Sequence, residues 1–138
     1  MAELTLTGQP DPGDLARIGS NLAAFNDSDV GPSGREPLTV LVHEDKALVA
    51  GLSGYTAWGW LYVQWLWVSE DQRGRGLAGR MLAAAEVEAK QRGCHGAYID
   101  TFNPHALHVY QRAGYVVFGS LDDFPPGRSR SFLSKSLT

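Results

Sequence analysis

Two arginines set among glycines, Arg73-Gly-Arg-Gly76, followed at once by Leu77-Ala78, form the stretch of this chain best suited to chemistry. Guanidinium groups match phosphate oxygens, and Gly74 and Gly76 leave room for an anion to approach the backbone. Upstream, Trp60-Leu-Tyr-Val-Gln-Trp-Leu-Trp-Val68 is rich in aromatic and β-branched residues and holds no Gly or Pro, which predicts a buried strand. Downstream, Leu77, Met81, Ala85 and Ala89 recur at helical spacing, Ala78 and Leu82 broaden the stripe, and Gly93 supplies a stop. The first N–H groups of a helix lack intrahelical partners and sit at the positive end of its dipole. Strand, turn and helix in that order therefore predict a cradle for a phosphate or pyrophosphate.

The composition bounds the ligand. One hundred and thirty-eight residues, 43% hydrophobic and 20% charged, are expected to make one domain over residues 1–138 with a core that needs no metal or disulfide. A net charge of -3 gives no broad field for polyanions, so nucleic acid is not an expected partner. Cys94 is the one cysteine, and the first residues lack the charged-then-apolar pattern of a signal peptide, so the expected location is cytoplasmic. The aromatic run from Ala57 to Val68 falls far short of the ~20 apolar residues that span a bilayer, and no membrane partner is expected.

The remaining elements follow from periodicity and punctuation. Residues 1–8 fit a short first strand with Leu4 and Leu6 on one face. Asp14 can cap a helix with apolar positions Leu15, Ile18, Leu22 and Phe25, and residues 26–37 read as a loop suited to a lid. Leu38–His43 and Ala47–Leu52 flank Glu44-Asp-Lys46 as an antiparallel hairpin, beside which the strand over residues 58–68 would pair. Ala97–Thr101 is a short strand that the central helix returns to the sheet as a parallel neighbour. Asn103-Pro104 opens a helix closed by Ala113-Gly114, because Asn caps well and Pro suits the first helical position. Tyr115–Leu121 and Ser131–Lys135 are the last strands.

Other readings of the glycine turn fit less well. Gly74-Arg-Gly-Leu-Ala-Gly79 satisfies the GxGxxG dinucleotide pattern, but five residues, Ser69 to Arg73, separate it from the strand, and Asp100 as ribose ligand lies in a chain with too few βα units. Gly79 is followed by Arg80-Met81 instead of the Lys-Ser/Thr of a nucleoside triphosphate loop. Arg73-x-x-Gly76-x-Ala78 instead resembles the acyl-CoA pyrophosphate loop of the GNAT family of N-acetyltransferases. A second stretch is similar to the same family: Asn103, Ala106, Tyr110 and the closing pair Gly114-Tyr115. The two lie in the family's order, one helix and one strand apart, and the resemblance extends over roughly residues 38–137.

The resemblance implies an α+β GNAT fold: a mixed, mostly antiparallel sheet of six to seven strands, about four flanking helices, and a splay between two central parallel strands. It also implies direct acetyl transfer from acetyl-CoA to the primary amine of a small molecule, with a peptide or protein amine second; a non-catalytic acyl-CoA-binding module is the rival from another class. Backbone groups of Arg73, Gly74, Arg75, Gly76, Leu77 and Ala78 would hold the pyrophosphate. The strand edge at Leu66, Trp67 and Val68 would pair with the pantetheine arm, and the Val68 N–H would donate to the thioester oxygen. Tyr110 would protonate the departing sulfur, and Asn103 would cap its helix, bind cofactor, or do both. A homodimer through the late strands, with Phe118 and Phe132, is a further implication.

The resemblance further implies a bulge in the strand over residues 58–68, and alternation supports a break there: Trp58, Trp60 and Tyr62 share one face, Trp65 and Trp67 fall on the other, and a bulge would re-aim the later pair. Four Trp within residues 58–67 exceed what packing requires, and one or two are expected to wall an acceptor pocket for a cationic or apolar amine. No metal is expected: His105 and His108 stand three apart without a partnered carboxylate or thiol, and His43 and His95 carry no better case. Among Glu36, Asp29, Glu70 and Asp122, spacing selects no general base.

Overall fold

The hairpin expected over residues 38–52 forms and is longer: β1 (Glu36–Glu44) and β2 (Ala47–Ala57) pair antiparallel, and β3 (Trp60–Val68) follows across a second tight turn. Both turns place their two central residues at positive φ, Asp45 and Lys46 in the first, Trp58 and Gly59 in the second, as two-residue hairpins with native twist require. Trp58 thus belongs to a turn, where strand alternation had placed it beside Trp60. The computed structural model describes all residues 1–138, and no helix in it is long and apolar enough to cross a membrane.

After β3 come a 3-10 turn (Glu70–Gln72), α2 (Leu77–Gln91), β4 (Gly96–Thr101), α3 (Pro104–Arg112), β5 (Val116–Asp122) and β6 (Ser129–Ser136). The six strands form one sheet in the order β1-β2-β3-β4-β6-β5, antiparallel except for the central pair β3 and β4. This is the mixed sheet expected, with three α-helices instead of about four. A single parallel pair leaves no room for the doubly wound sheet of a dinucleotide fold.

The chain divides into two compact units, Met1–Ser33 and Gly34–Thr138. In the first, the expected strand over residues 1–8 does not form: Leu4 and Leu6 are fully exposed and no ladder partner exists for them. Its helix, α1 (Pro12–Val30), starts earlier and ends later than expected. Asp11, not Asp14, is the cap, accepting from the Gly13 N–H at 2.9 Å with Pro12 in the first turn. The helix runs on through Asn26–Val30, where the Ser28 hydroxyl donates to the Phe25 carbonyl, and Gly31 closes the last turn on Asp27.

In the second unit α2 lies against β1, β2 and β3, and α3 beside β4. Met81, Leu82, Ala85 and Ala89 of α2 are buried against Leu52, Leu61, Val63, Ala97, Ile99 and Leu133 of the sheet. Of the predicted stripe Met81, Leu82, Ala85 and Ala89 are buried and Leu77 and Ala78 half-buried, Glu86 joins the buried face, and Gly93, at φ 87°, ends the helix as expected. Within this core Glu86 accepts from the Tyr115 hydroxyl at 3.0 Å and pairs with Lys135 at 2.7 Å, tying α2 to β6 and to the end of α3.

Candidate active site

The site begins with a bulge. Ser53 pairs with Trp65 but Gly54 pairs with Val63, so Gln64 is an extra residue on β3. Gly54 is required opposite it, because a Cβ there would lie 1.8 Å from the Tyr62 carbonyl oxygen. The bulge shifts parity. Ser53 and Tyr55 point to one face of β2, so their partners Trp65 and Tyr62 share that face as well. Trp60, Tyr62, Trp65 and Trp67 thus all stand on the face opposite α2, while Leu61, Val63, Leu66 and Val68 pack toward the core.

The bulge also ends a ladder. β3 and β4 pair only from Trp60/Gly96 to Val63/Ile99, so beyond Val63 the two parallel strands part and leave a fork. The side on which β3 exposes its backbone follows from the β2 register. Ser69 N–H donates to the Val49 carbonyl at 2.8 Å, which makes Val49/Ser69 a hydrogen-bonded pair. Antiparallel pairs alternate, so Ala50/Val68 and Leu52/Leu66 are non-hydrogen-bonded pairs, and the N–H and C=O groups of Leu66 and Val68 point away from β2, into the fork. Trp67 alternates with them: its backbone faces β2 and its side chain the open face.

The fork leads to the glycine turn. Gly74 and Gly76 adopt φ 79° and 75°, and the space a side chain would occupy at Gly74, Gly76 and Gly79 is empty. Gly76 caps α2 without any side-chain hydrogen bond, so the first N–H groups of the helix, at Leu77 and Ala78, carry no side-chain acceptor. Arg73 folds back to donate from Nε to the Val68 carbonyl at 3.2 Å, and Arg75 donates to the Gln72 side chain at 3.3 Å. Gln72, which the sequence did not single out, is buried and donates to Glu44, pinning the turn to β1. Outward-pointing N–H donors are therefore offered at two places, on the Leu66 and Val68 edge of β3 and at the start of α2. Between them the Ser69, Gln72 and Arg73 N–H groups are spent on the Val49, Ser69 and Glu70 carbonyls, and two guanidinium groups lie beside the turn.

Tyr110 lies on α3, its residue only 5% exposed. Burial, with a smaller contribution from the charge of Asp100, pushes its hydroxyl up to about 12, so it holds its proton throughout the neutral range. Asn103 accepts from the His105 and Ala106 N–H groups at 2.9 and 3.0 Å, so its oxygen is committed to the helix cap and its amide nitrogen is the atom left for a ligand.

On the open face, the carboxylate at the fork is Asp100. It accepts from the Tyr62 hydroxyl at 3.0 Å and from Nε of Arg130 at 3.0 Å, and pairs with the Arg130 terminal nitrogen. Burial and the Asp100 hydrogen bond push Tyr62 up to about 12. Tyr62 stacks on Tyr98 at 4.6 Å and meets Tyr55 edge-on at 5.7 Å. Alternation alone puts Tyr98 and Asp100 on one face of β4, and the pairing of Tyr62 with Tyr98 across the parallel strands brings Tyr62 to that face.

The four acids weighed as bases are scattered: Glu36 pairs with Arg92, Glu70 lies in the 3-10 turn, Asp122 accepts from Ser129, and Asp29 belongs to α1. His105 and His108 are exposed, and no cluster of three or more His, Cys, Asp or Glu residues forms that could hold a metal. Cys94 is a free buried thiol that burial pushes up, the opposite of an activated nucleophile.

Comparison with known proteins agrees with this geometry. Residues 14–115 match the model of the Acetyltransferase (GNAT) family. The chain is 47% identical to an acetyltransferase of Agrobacterium fabrum, over 83% of this chain and 84% of that one. It is 42% identical to the blasticidin-S acetyltransferase of Streptomyces morookaense, over 65% of this chain and 67% of that one. A crystal structure ascribed to an acetyltransferase from Agrobacterium tumefaciens superposes with a TM-score of 0.93 at 42% identity, covering 98% of this chain and 99% of that one.

Proposed function

Because the chain belongs to the GNAT family of acetyltransferases, we propose that it carries an acetyl group from acetyl-CoA to the primary amine of a small molecule, by direct attack within a ternary complex. The observation that carries this reading is the unpaired inner edge of β3, which connects the fork to the open glycine turn at the start of α2. Acetyl-CoA matches both features: its pyrophosphate needs clustered N–H donors and cations, and its amide-bearing arm needs an unpaired strand edge. The name of the Streptomyces relative supports a small-molecule acceptor over a protein one.

In this reading Arg73, Gly74, Arg75, Gly76, Leu77 and Ala78 hold the pyrophosphate, and the segment Leu66, Trp67 and Val68 guides the pantetheine arm, with Leu66 and Val68 supplying the edge groups. The amine nitrogen enters at the fork and attacks the thioester carbon. As the C–N bond forms, the Val68 N–H donates to the oxygen that gains charge. The C–S bond then breaks, the thiolate takes the Tyr110 proton, and the proton lost by the amine returns through water to the tyrosinate. The products are the acetamide and free CoA. Asn103 turns its amide nitrogen toward the arm.

The first test is a thermal melt with acetyl-CoA, CoA, NAD and ATP in parallel. A ligand at ~100 times its dissociation constant adds about 2.7 kcal/mol and moves the midpoint by several degrees in a domain of this size. Stabilisation by the CoA ligands alone is the expected result; stabilisation by NAD or ATP without them would overturn the assignment of the glycine turn.

A further inference from the structure

Beyond Ile99 and Leu133, which are buried in the core, the same face of β4 and β6 continues with Thr101 and Ser131, paired across the ladder. Alternation thus puts two hydroxyls where the core pattern calls for apolar side chains. Ser131 is 6% exposed, yet its hydroxyl has no hydrogen-bond partner. No sealed side-chain oxygen in the chain lacks one, so the Ser131 hydroxyl is open to the cavity that it lines. That cavity, of about 190 Å³, lies between the start of α3 and the β5–β6 turn. Because β6 flanks β4 on the side away from β3, and no residue of β3 or α2 lines the cavity, it is separate from the fork.

The groups around it are donors. Arg128 bridges the two walls by donating to the Phe102 carbonyl at 3.0 Å, and its guanidinium has no acidic partner: the ion pairs of the chain use Arg92, Arg130 and Lys135. Thr101 accepts from the Asn103 N–H at 3.1 Å, which leaves its own O–H to donate. The acceptors are already engaged. The Phe102 carbonyl takes Arg128, the Asn103 carbonyl takes the Leu107 N–H, and the Asn103 side-chain oxygen takes two N–H groups. Ser129 turns its hydroxyl to Asp122, and no acidic side chain lines the cavity. Donors without acceptors, beside an unpaired guanidinium and the positive end of α3, select an anion. The first N–H groups of α3 are spent on Asn103, which leaves little for a phosphate, whereas one planar fork and two hydroxyls match a carboxylate. Phe102, Pro104 and Leu107 add an apolar wall for a short chain. A cavity of ~150 Å³ holds a benzene-sized body, so this one takes an acid of roughly six non-hydrogen atoms.

We propose that this cavity is a binding site for a small organic carboxylate, seated on Arg128, Ser131 and Thr101. It is a second site beyond the one that the transferase reading uses, at the start of the helix that carries Tyr110.

The probes are butyrate, butyramide, which has the same shape without the charge, and inorganic phosphate, each titrated calorimetrically into the full chain. The wild type is expected to bind butyrate about tenfold more tightly than either of the others. Arg128→Gln and Ser131→Ala should each weaken butyrate about tenfold, because each removes a hydrogen bond to a charged group, and should leave the midpoint shift given by acetyl-CoA unchanged. No binding of butyrate by the wild type, no preference for it over butyramide, or an affinity unchanged in both variants overturns the site. Phosphate bound as tightly as butyrate overturns the choice of a carboxylate. Loss of the acetyl-CoA shift in both folded variants, or competition between butyrate and acetyl-CoA, would merge the cavity with the cofactor site and overturn its separateness.

Discussion

At the scale of single residues, the environment of Tyr110 decides what it can do. A hydroxyl raised to about 12 keeps its proton at any physiological pH, and replacing Tyr110 by Phe removes that hydroxyl while leaving the ring. Tyr110→Phe is expected to bind acetyl-CoA with an unchanged melting shift and to lose about 10²-fold in kcat. Full activity in that variant would remove Tyr110 from the mechanism. The same burial has a consequence for alkaline stability. Below pH ~10 tyrosine is neutral in both folded and unfolded chains; above it the unfolded chain ionises first, so the native state loses ground as pH rises from ~10 toward ~12. Tyr62 and Tyr115, both raised by burial and a carboxylate partner, act in the same direction. The melting midpoint is therefore expected to fall steeply in that window, together with the appearance of tyrosinate absorbance.

At the scale of elements, the fork depends on a contact that admits no side chain. A methyl at Gly54 meets the Tyr62 carbonyl and crowds the Gln64 N–H at 3.2 Å, so Gly54→Ala must shift the bulge or the ladder. The expected cost is about 2–4 kcal/mol, read as a lowered melting midpoint, with a smaller shift on adding acetyl-CoA because the β3 edge is displaced. Gly76 is a different case, since its side-chain space is empty and only its φ of 75° resists substitution. Gly76→Ala is expected to cost about 1–2 kcal/mol and to weaken acetyl-CoA, read by titration, without disturbing the fork.

At the scale of the whole molecule, Glu86, Tyr115 and Lys135 tie α2, the end of α3 and β6 together beneath the sheet. Lys135→Met leaves a buried carboxylate with one neutral partner, and the Lys135 side chain is partly exposed, so the expected loss is about 2–3 kcal/mol, below that of a sealed pair. Adding Glu86→Gln should return part of that loss, a coupling that a double-mutant cycle of melts would measure.

The sequence alone determined what local chemistry can encode. The stripe of α2, the Asn103 cap and Pro104 start of α3, the hairpin around Asp45-Lys46 and the Arg73–Ala78 turn each depend on residues a few positions apart, and each stands where its spacing placed it. The tertiary structure decided what depends on partners. Residues 1–8 have strand alternation but no ladder to join, and α1 runs past Phe25 into a segment whose Asp, Ser and Asn content reads as loop. The bulge at Gln64 was foreseen only as a need, because parity along β3 is free until β2 sets its register, and that register also decides that Leu66 and Val68 face the fork while Trp65 and Trp67 face outward. Asp100, Tyr62 and Arg130 are brought together from three strands far apart in the chain, so no local spacing could assemble them.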